Sequence, residues 1–373
     1  MSTTPRRHRR AVASSLAVVL GWCVLLPTSD ARAVDVHSHL HQNVAPRVLW
    51  RLPSVSPAFQ NARSEAERLL GDRPFQMVLM DGKRAVASAS SVGTSLLSEE
   101  PIASISKAIT AITLMRLVEL GRATLDQTLG DYFSESLVPA PWRAVTLRQL
   151  LSHMSGFVPD RDRWFNDSYT SCFEAFTTTV ERDSPTAPMY QYSNTNFCAL
   201  SLVVGRIAPP SYEDAVARLV FQPLGIKRRG MDEKYASLEG AGGWKMTALD
   251  IGRIIASLDP QAAYSPLSEA SRSQMIQQTT YNYGLGVWIW DANTFGHSGT
   301  LYRARNIAVR LPSGRTVVIL TQATFPESGL DLLPIAQRID AAYTSSCTQS
   351  QCRLWGQDPF DGMPTGILGI PLG

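Results

Sequence analysis

Residues 102–110 read IASISKAIT, a stretch that sets an ammonium group among isoleucines. Ile102, Ile105 and Ile109, with Ile112 just beyond, recur at the spacing of an apolar helix face. The pattern predicts a largely buried helix from about Ser104 to Leu120, closed by Gly121. Ser104 and Lys107 stand three apart and therefore share a face. Burying a charged amine is costly unless a neighbour compensates it. A serine hydroxyl is a poor nucleophile until a base takes its proton. An amine in a partly dehydrated pocket loses some preference for its charged form and can accept that proton. Backbone N–H groups at a helix start also suit a developing oxyanion. For S-x-x-K taken alone, the plain alternative is a surface helix with an ordinary lysine.

Upstream, SPAFQNARSEAERLLGD (56–72) places Phe59, Ala62, Ala66, Leu69 and Leu70 at helical spacing. FQMVLMDGKRAVASAS (75–90) reads as two strands around an Asp81-Gly82 turn. Downstream, TLRQLLSHMSG carries a capping box at Thr146 and Gln149, with Gly156 as a stop. TALDIGRIIASL begins a further helix capped by Thr247. From Tyr283 the period becomes that of strands, in YGLGVWIW, TFGHSG, ARNIAVRL and RTVVILTQA, and LDLLPIAQRIDAAY closes as a helix. Consecutive strands joined by short turns predict an α+β fold, an antiparallel sheet flanked by helices with an all-α lobe inserted. The sheet lobe is expected at about 56–120 and 266–345, and the helical lobe at about 121–265. A cleft between lobes is a natural place for a site.

Two further motifs bear on Ser104. QYSNTN supplies Tyr192, Ser193 and Asn194. A tyrosine can relay protons, and an asparagine amide can hold a substrate carbonyl or orient Lys107. Alone, the motif reads equally as a polar loop before the helix TNFCALSLVVGRI. GHSGT places His297, Ser298, Gly299 and Thr300 between strand-like runs. Gly299 would let a substrate backbone come close. The Thr300 N–H would complete an oxyanion hole with that of Ser104.

The order S-x-x-K, Y-S-N, H-S-G resembles the penicillin-recognising serine hydrolases, especially the class C β-lactamase and D,D-peptidase branch. IASISKAITAITLMRLVELGRATLDQTLGDYF, TLRQLLSHMSGF, QYSNTNFCALSLVVGRI, FQPLGIKRRG, AGGWKMTALDIGRII, YGLGVWIW and GHSG look like that family's segments in its order. The resemblance covers roughly residues 56–345. It implies a β-lactamase/transpeptidase-like fold and acyl transfer through an acyl-enzyme, with no cofactor and no metal. It implies Ser104 as nucleophile, Lys107 and Tyr192 in proton transfer, Asn194 in positioning, and residues 297–300 as the substrate-edge strand. The chain departs from the family in places. Its middle motif is Y-S-N rather than S-D-N, with no E-x-x-L-N segment. Many of the family's β-lactamases carry K-T-G where this chain has H-S-G, and a histidine is mostly neutral at pH 7. Arg303 and Arg305 are the nearest replacement cations, although a solvated strand position is the plainer reading of each. H-x-G resembles the peptidase members more than the lactamases. The expected substrate is therefore a D-amino-acid peptide, a class that includes peptidoglycan-derived peptides, with a β-lactam or ester as alternatives. A catalytically silent peptidoglycan- or partner-binding relative is the alternative of another class.

The chain's first 33 residues join a basic RRHRR, an apolar AVASSLAVVLGWCVLLP and an ARA ending at Ala33, and read as an export signal. They hold five arginines and one aspartate. Of 35 basic and 32 acidic residues, 30 and 31 then remain, so no basic field suggests nucleic acid. No later segment is apolar for the roughly 20 residues that a membrane span needs. Location is expected to be periplasmic or secreted. Cys172, Cys198, Cys347 and Cys352 remain after cleavage, an even count that suggests disulfides in an exported chain. The local pairings Cys172–Cys198 and Cys347–Cys352 are favoured. His37, His39 and His41 alternate like the opening of a metal site. Such a site needs later ligands, and His153 and His297 fall in segments already explained. His153 itself reads as structural. The tail 346–373 suggests nothing.

Overall fold

The computed structural model describes residues 56–159, 169–187, 189–227, 229–279, 281–323 and 330–346. Residues 1–33, read as an export signal, with His37, His39, His41, Cys347, Cys352 and the tail from Arg353, lie outside the described residues. Helix α1 (Pro57–Leu70) starts at Ser56, whose hydroxyl accepts from the Phe59 amide at 3.1 Å. Pro57 occupies its first turn, where no amide donor is required. Strands β1 (Phe75–Asp81) and β2 (Arg84–Ser90) form the expected hairpin, with Gly82 at φ +57° in the turn. The short β3 (Glu100–Pro101) precedes a 3₁₀ turn, Ala103–Ile105, which runs into α2 (Ser106–Glu119). Then follow α3 (Cys172–Arg182), α4 (Asn194–Ile207), β4 (Lys245–Met246) and α5 (Ala248–Ala256). Strands β5 (Trp288–Asp291), β6 (Thr294–Leu301), β7 (Ala304–Arg310) and β8 (Thr316–Thr321) lead to α6 (Leu332–Ser345).

Six strands form one antiparallel sheet in the order β2-β1-β8-β7-β6-β5, and β3 pairs with β4 apart from it. The sheet's two faces follow the two-residue period of its strands. Met77, Leu79, Ile307, Val309, Val317 and Ile319 face one core with α1 and α6. Val78, Met80, Ala308, Val318 and Leu320 face the other, larger core, which continues into the helical part. Both α+β character and helices on either face match the sequence expectation. Eleven of the fourteen residues of α2 are buried, which makes it a central helix enclosed on all sides. It ends as expected: Gly121, at φ +68°, donates to Val118 O, and Arg122 N donates to Leu117 O.

Three details differ from the sequence reading. Helix α5 lies within 121–265, yet it packs against β1 and β8 of the sheet. Gly252 permits this, since a Cβ there would stand 2.8 Å from Met80 Cγ. Residues 283–287 do not extend β5. Gly286, at φ +81°, turns them back onto α2, where a Cβ would meet the Ala111 Cβ at 2.4 Å. The helix opened by the Thr146–Gln149 capping box ends at Leu151, and His153 takes the left-handed turn at φ +59°. In the helical part a disulfide joins Cys172, the first residue of α3, to Cys198 in α4. Among the described residues no helix is long and apolar enough to cross a membrane.

Candidate active site

Ser104 sits in the 3₁₀ turn just before α2 rather than inside that helix, and it is partly exposed. Ala103 beside it adopts φ +52°, a left-handed conformation that costs a residue with a Cβ roughly 1–2 kcal/mol. Such strain concentrates where a side chain must be aimed. One turn on, Lys107 is fully buried, and its Nζ lies 3.0 Å from Ser104 Oγ. Nζ also donates to Asn194 Oδ1 at 2.8 Å and to the Ala241 carbonyl at 2.7 Å. An amide oxygen and a carbonyl can only accept, so two N–H bonds of the amine are committed to them. As an ammonium, Lys107 has one more N–H to direct at Ser104. As a free amine, its lone pair points to that side. The geometry thus allows proton exchange between this one amine and this one hydroxyl.

The Tyr192 ring centroid is 4.9 Å from Lys107 Nζ, and that of Phe197 is 5.6 Å away. Asn194 is the first residue of α4 and Ser193 its N-cap, so the helix start aims Asn194 at the amine. The structure therefore brings Ser104, Lys107, Tyr192 and Asn194 together from two segments, 104–107 and 192–194. Strand β6 closes the other side. A Cβ on Gly299 would fall 2.4 Å from Ile102 O and 3.2 Å from Ser104 N, so only glycine lets this strand lie against the Ser104 turn. Strand β5 pairs with β6 at Thr294, Phe295 and Gly296 alone. From His297 on, that side of β6 has no ladder partner among the described residues.

The four residues of the H-S-G-T stretch are placed differently. Ser298 is exposed and Thr300 partly so. Thr300 Oγ1 accepts from Arg305 Nη1 at 2.8 Å across the strand pair. His297 is fully buried and faces inward. Its Nδ1 is 2.5 Å from the Ser298 carbonyl, which can only accept, so Nδ1 carries the proton. Its Nε2, 3.0 Å from the Tyr283 hydroxyl, then accepts. Burial, with the charge of Lys107 adding to it, lowers the His297 pKa to about 3. Burial likewise raises the Tyr283 phenol well above its ordinary range.

Sequence reasoning missed two groups. The Ala241 carbonyl holds Lys107, and no residue-type pattern announces a carbonyl. An aromatic wall also flanks the amine. Tyr192 stacks on Trp288 at 5.8 Å, and Tyr190, Tyr281 and Tyr283 continue from it. The strand period in YGLGVWIW was its one visible signal. A cavity of about 230 Å³ lies one strand away, lined by Gln76, Glu100, Tyr235, Arg303 and Asn306. It includes neither Ser104 nor Lys107, so the convergence of side chains, and not that hollow, locates the candidate site. Among the described residues no three metal-ligating side chains converge.

A family model described as Beta-lactamase matches residues 100–341, and the chain belongs to that family. Its fold is accordingly the β-lactamase/transpeptidase-like fold. The chain is similar to penicillin-binding protein 4 of Amycolatopsis lactamdurans, 31% identical over 127 residues, which is 33% of this chain and 33% of that protein. The match thus spans about a third of that relative's length. Two solved structures share the fold. A D-amino acid amidase from Ochrobactrum anthropi SV3, in complex with L-phenylalanine amide, has TM-score 0.65 and 16% identity, covering 78% of this chain and 98% of that one. A D-stereospecific amidohydrolase from Streptomyces sp. has TM-score 0.62 and 18% identity, covering 78% and 99%.

Proposed function

We propose that this chain is an exported serine hydrolase that works through an acyl-enzyme on an amide bond of a D-amino-acid peptide. One observation carries the reading: the Lys107 amine, with two N–H groups committed to Asn194 and Ala241, has Ser104 Oγ at 3.0 Å. In this reading Ser104 Oγ attacks the substrate carbonyl and forms the acyl bond. Lys107 takes the hydroxyl proton, and Tyr192 passes a proton to the departing amine. The N–H groups of Ser104 and Thr300 hold the oxyanion. Water, with Tyr192 as base, then cleaves the ester, and Lys107 returns its proton to the departing Ser104 Oγ. Asn194 positions Lys107.

The substrate lies along β6, where Ser298 and Thr300 face it. The inward, neutral His297 contributes there through its backbone and through the support it gives Tyr283. The cation for a substrate carboxylate is Arg305, set beside Thr300. A peptide substrate is favoured because the chain resembles a penicillin-binding protein in sequence and two D-specific amide hydrolases in fold. Peptides derived from peptidoglycan fall in this class. The Cys172–Cys198 bridge suits the oxidising setting of an exported protein.

Parallel turnover of a D-Ala-D-Ala peptide, nitrocefin and a short-chain p-nitrophenyl ester by one purified sample tests the reading. The peptide is expected to be cleaved fastest, with an acyl adduct on Ser104 seen by intact mass. Faster nitrocefin or ester turnover would reassign the substrate. An absence of turnover and of labelling by fluorescent penicillin and fluorophosphonate probes would leave a binding protein.

A further inference from the structure

Among the described residues His153 is the one fully buried imidazole that the mechanism above leaves without a role, and its backbone is unusual. The helix Leu147–Leu151 ends in a Schellman arrangement: His153 N donates to Leu150 O at 3.3 Å, and Met154 N to Gln149 O at 2.8 Å. The residue at that bend adopts φ +59°, where glycine is the ordinary occupant. Here the position carries a histidine at the cost of left-handed strain.

That histidine grips Tyr192 from both sides. Gln191 N donates to the His153 carbonyl at 2.9 Å, and Ser193 N donates to His153 Nδ1 at 3.3 Å. The two residues flanking Tyr192 in sequence are thus tied to one side chain and its own backbone. Asn196 Nδ2 also donates to Nδ1 at 3.0 Å, and Asn196 is fixed in turn by Ser155 Oγ at 2.5 Å. Between these ties the imidazole lies 4.3 Å from the Tyr192 ring. Because Nδ1 accepts two N–H groups, the ring proton sits on Nε2. That Nε2 is buried with no hydrogen-bond partner among the described residues.

We propose that His153 is a positioning residue for catalysis, a neutral clamp that fixes the Tyr192 phenol relative to Lys107 and Ser104. The proposal rests on Tyr192 moving protons in the reaction. A rigid phenol matters because a misplacement of about 1 Å in a reacting group can cost roughly 10²-fold in rate. Neutrality is enforced by the surroundings. Lys107 on α2 and His297 on β6 are the basic groups that face the ring, and Tyr190, Tyr192 and Tyr283 are its phenolic neighbours. Burial first, then the Lys107 charge and His297, hold the His153 pKa well below its ordinary value.

Two variants test the clamp. His153→Leu keeps apolar volume and removes the acceptor. His153→Asn restores an acceptor near the Nδ1 position and tolerates the left-handed bend. In His153→Leu, kcat for a p-nitrophenyl ester and the fluorophosphonate labelling rate are expected to fall about 10- to 100-fold. KM should change little, and the basic limb of the pH–rate profile should move. His153→Asn should recover most of the rate and the wild-type limb. Equal loss in both variants, or a His153→Leu enzyme with native rate and pH profile, overturns the clamp while leaving the hydrolase reading intact. A wild-type chain silent to every probe refutes the hydrolase reading instead. Nitrogen NMR of the wild-type imidazole then decides the clamp. A neutral ring protonated at Nε2 from pH 7 down to 5 supports it, and an Nδ1–H tautomer or an imidazolium at pH 6 refutes it.

Discussion

Lys107 and His297 are both basic, both fully buried and neighbours in one core, yet their partners differ in the charge states they allow. Around Lys107 the partners are oxygens: a hydroxyl, a side-chain amide and a carbonyl. They accept from an ammonium and also from a neutral amine, so the group can hold or release a proton without losing its place. Around His297 one carbonyl accepts and one phenol donates, a complete set for a neutral ring and a poor one for an imidazolium. The lesson concerns placement of charge. With Lys107 charged, a second cation within the same desolvated core is disfavoured twice, by burial and by repulsion. A neutral His297 is therefore compatible with the proposed role of Lys107 as the base for Ser104.

The comparison breaks most visibly when Lys107 is removed. Lys107→Met is expected to slow acylation by roughly 10²–10⁴-fold, read by fluorophosphonate labelling, with the fold intact by circular dichroism. Labelling near the wild-type rate would show that the amine is not the base.

Acid stability sharpens the comparison next. An unfolded imidazole binds its proton near pH 6.5, whereas folded His297 does so only at about 3. Between those values the unfolded chain binds more protons, so stability falls as pH falls. The expected loss is about 1.4 kcal/mol per pH unit for such a histidine, or about 2 kcal/mol from pH 6.5 to 5. Urea unfolding at pH 7 and pH 5 measures it, and His297→Gln should show a shallower dependence. Lys107→Met should change the slope little, because burial, the larger cause of both imidazole shifts, remains. An unchanged slope in His297→Gln would place the acid sensitivity elsewhere.

Smaller effects follow from the supports. Asn194→Ala deletes one acceptor of the Lys107 amine, and about a tenfold loss of acylation is expected with KM nearly constant. Ala103→Gly relieves the left-handed residue at the nucleophile's turn. A gain in unfolding free energy of at most about 1 kcal/mol is expected, with slower labelling if the strain aims Ser104.

Much of this was legible in the sequence because it is local or periodic. Ser104 and Lys107 share a face by spacing alone. Met77 and Leu79 alternate with Val78 and Met80, and the sheet follows. The Thr146–Gln149 box and the bend at Gly121 obey capping chemistry that four or five residues encode. What stayed hidden depends on contacts set by the whole fold. Ala241 lies 134 positions from Lys107 and contributes a carbonyl that any residue would have. His153 looked structural because its importance lies in a backbone angle and in a segment 40 positions away. His297 faces inward and bonds to the Tyr283 hydroxyl, a contact 14 positions away that no pairwise spacing revealed.

The short pairing between β5 and β6 has a consequence for selectivity. In the proposed reaction, a ligand that pairs with β6 beyond Gly296 would have to straighten and bond through its main chain before its carbonyl met Ser104. Recognition of that kind judges shape ahead of chemistry. On the proposed function, it would admit loose chain ends and strand mimics, and turn away helices and compact folded surfaces whatever bonds they carry.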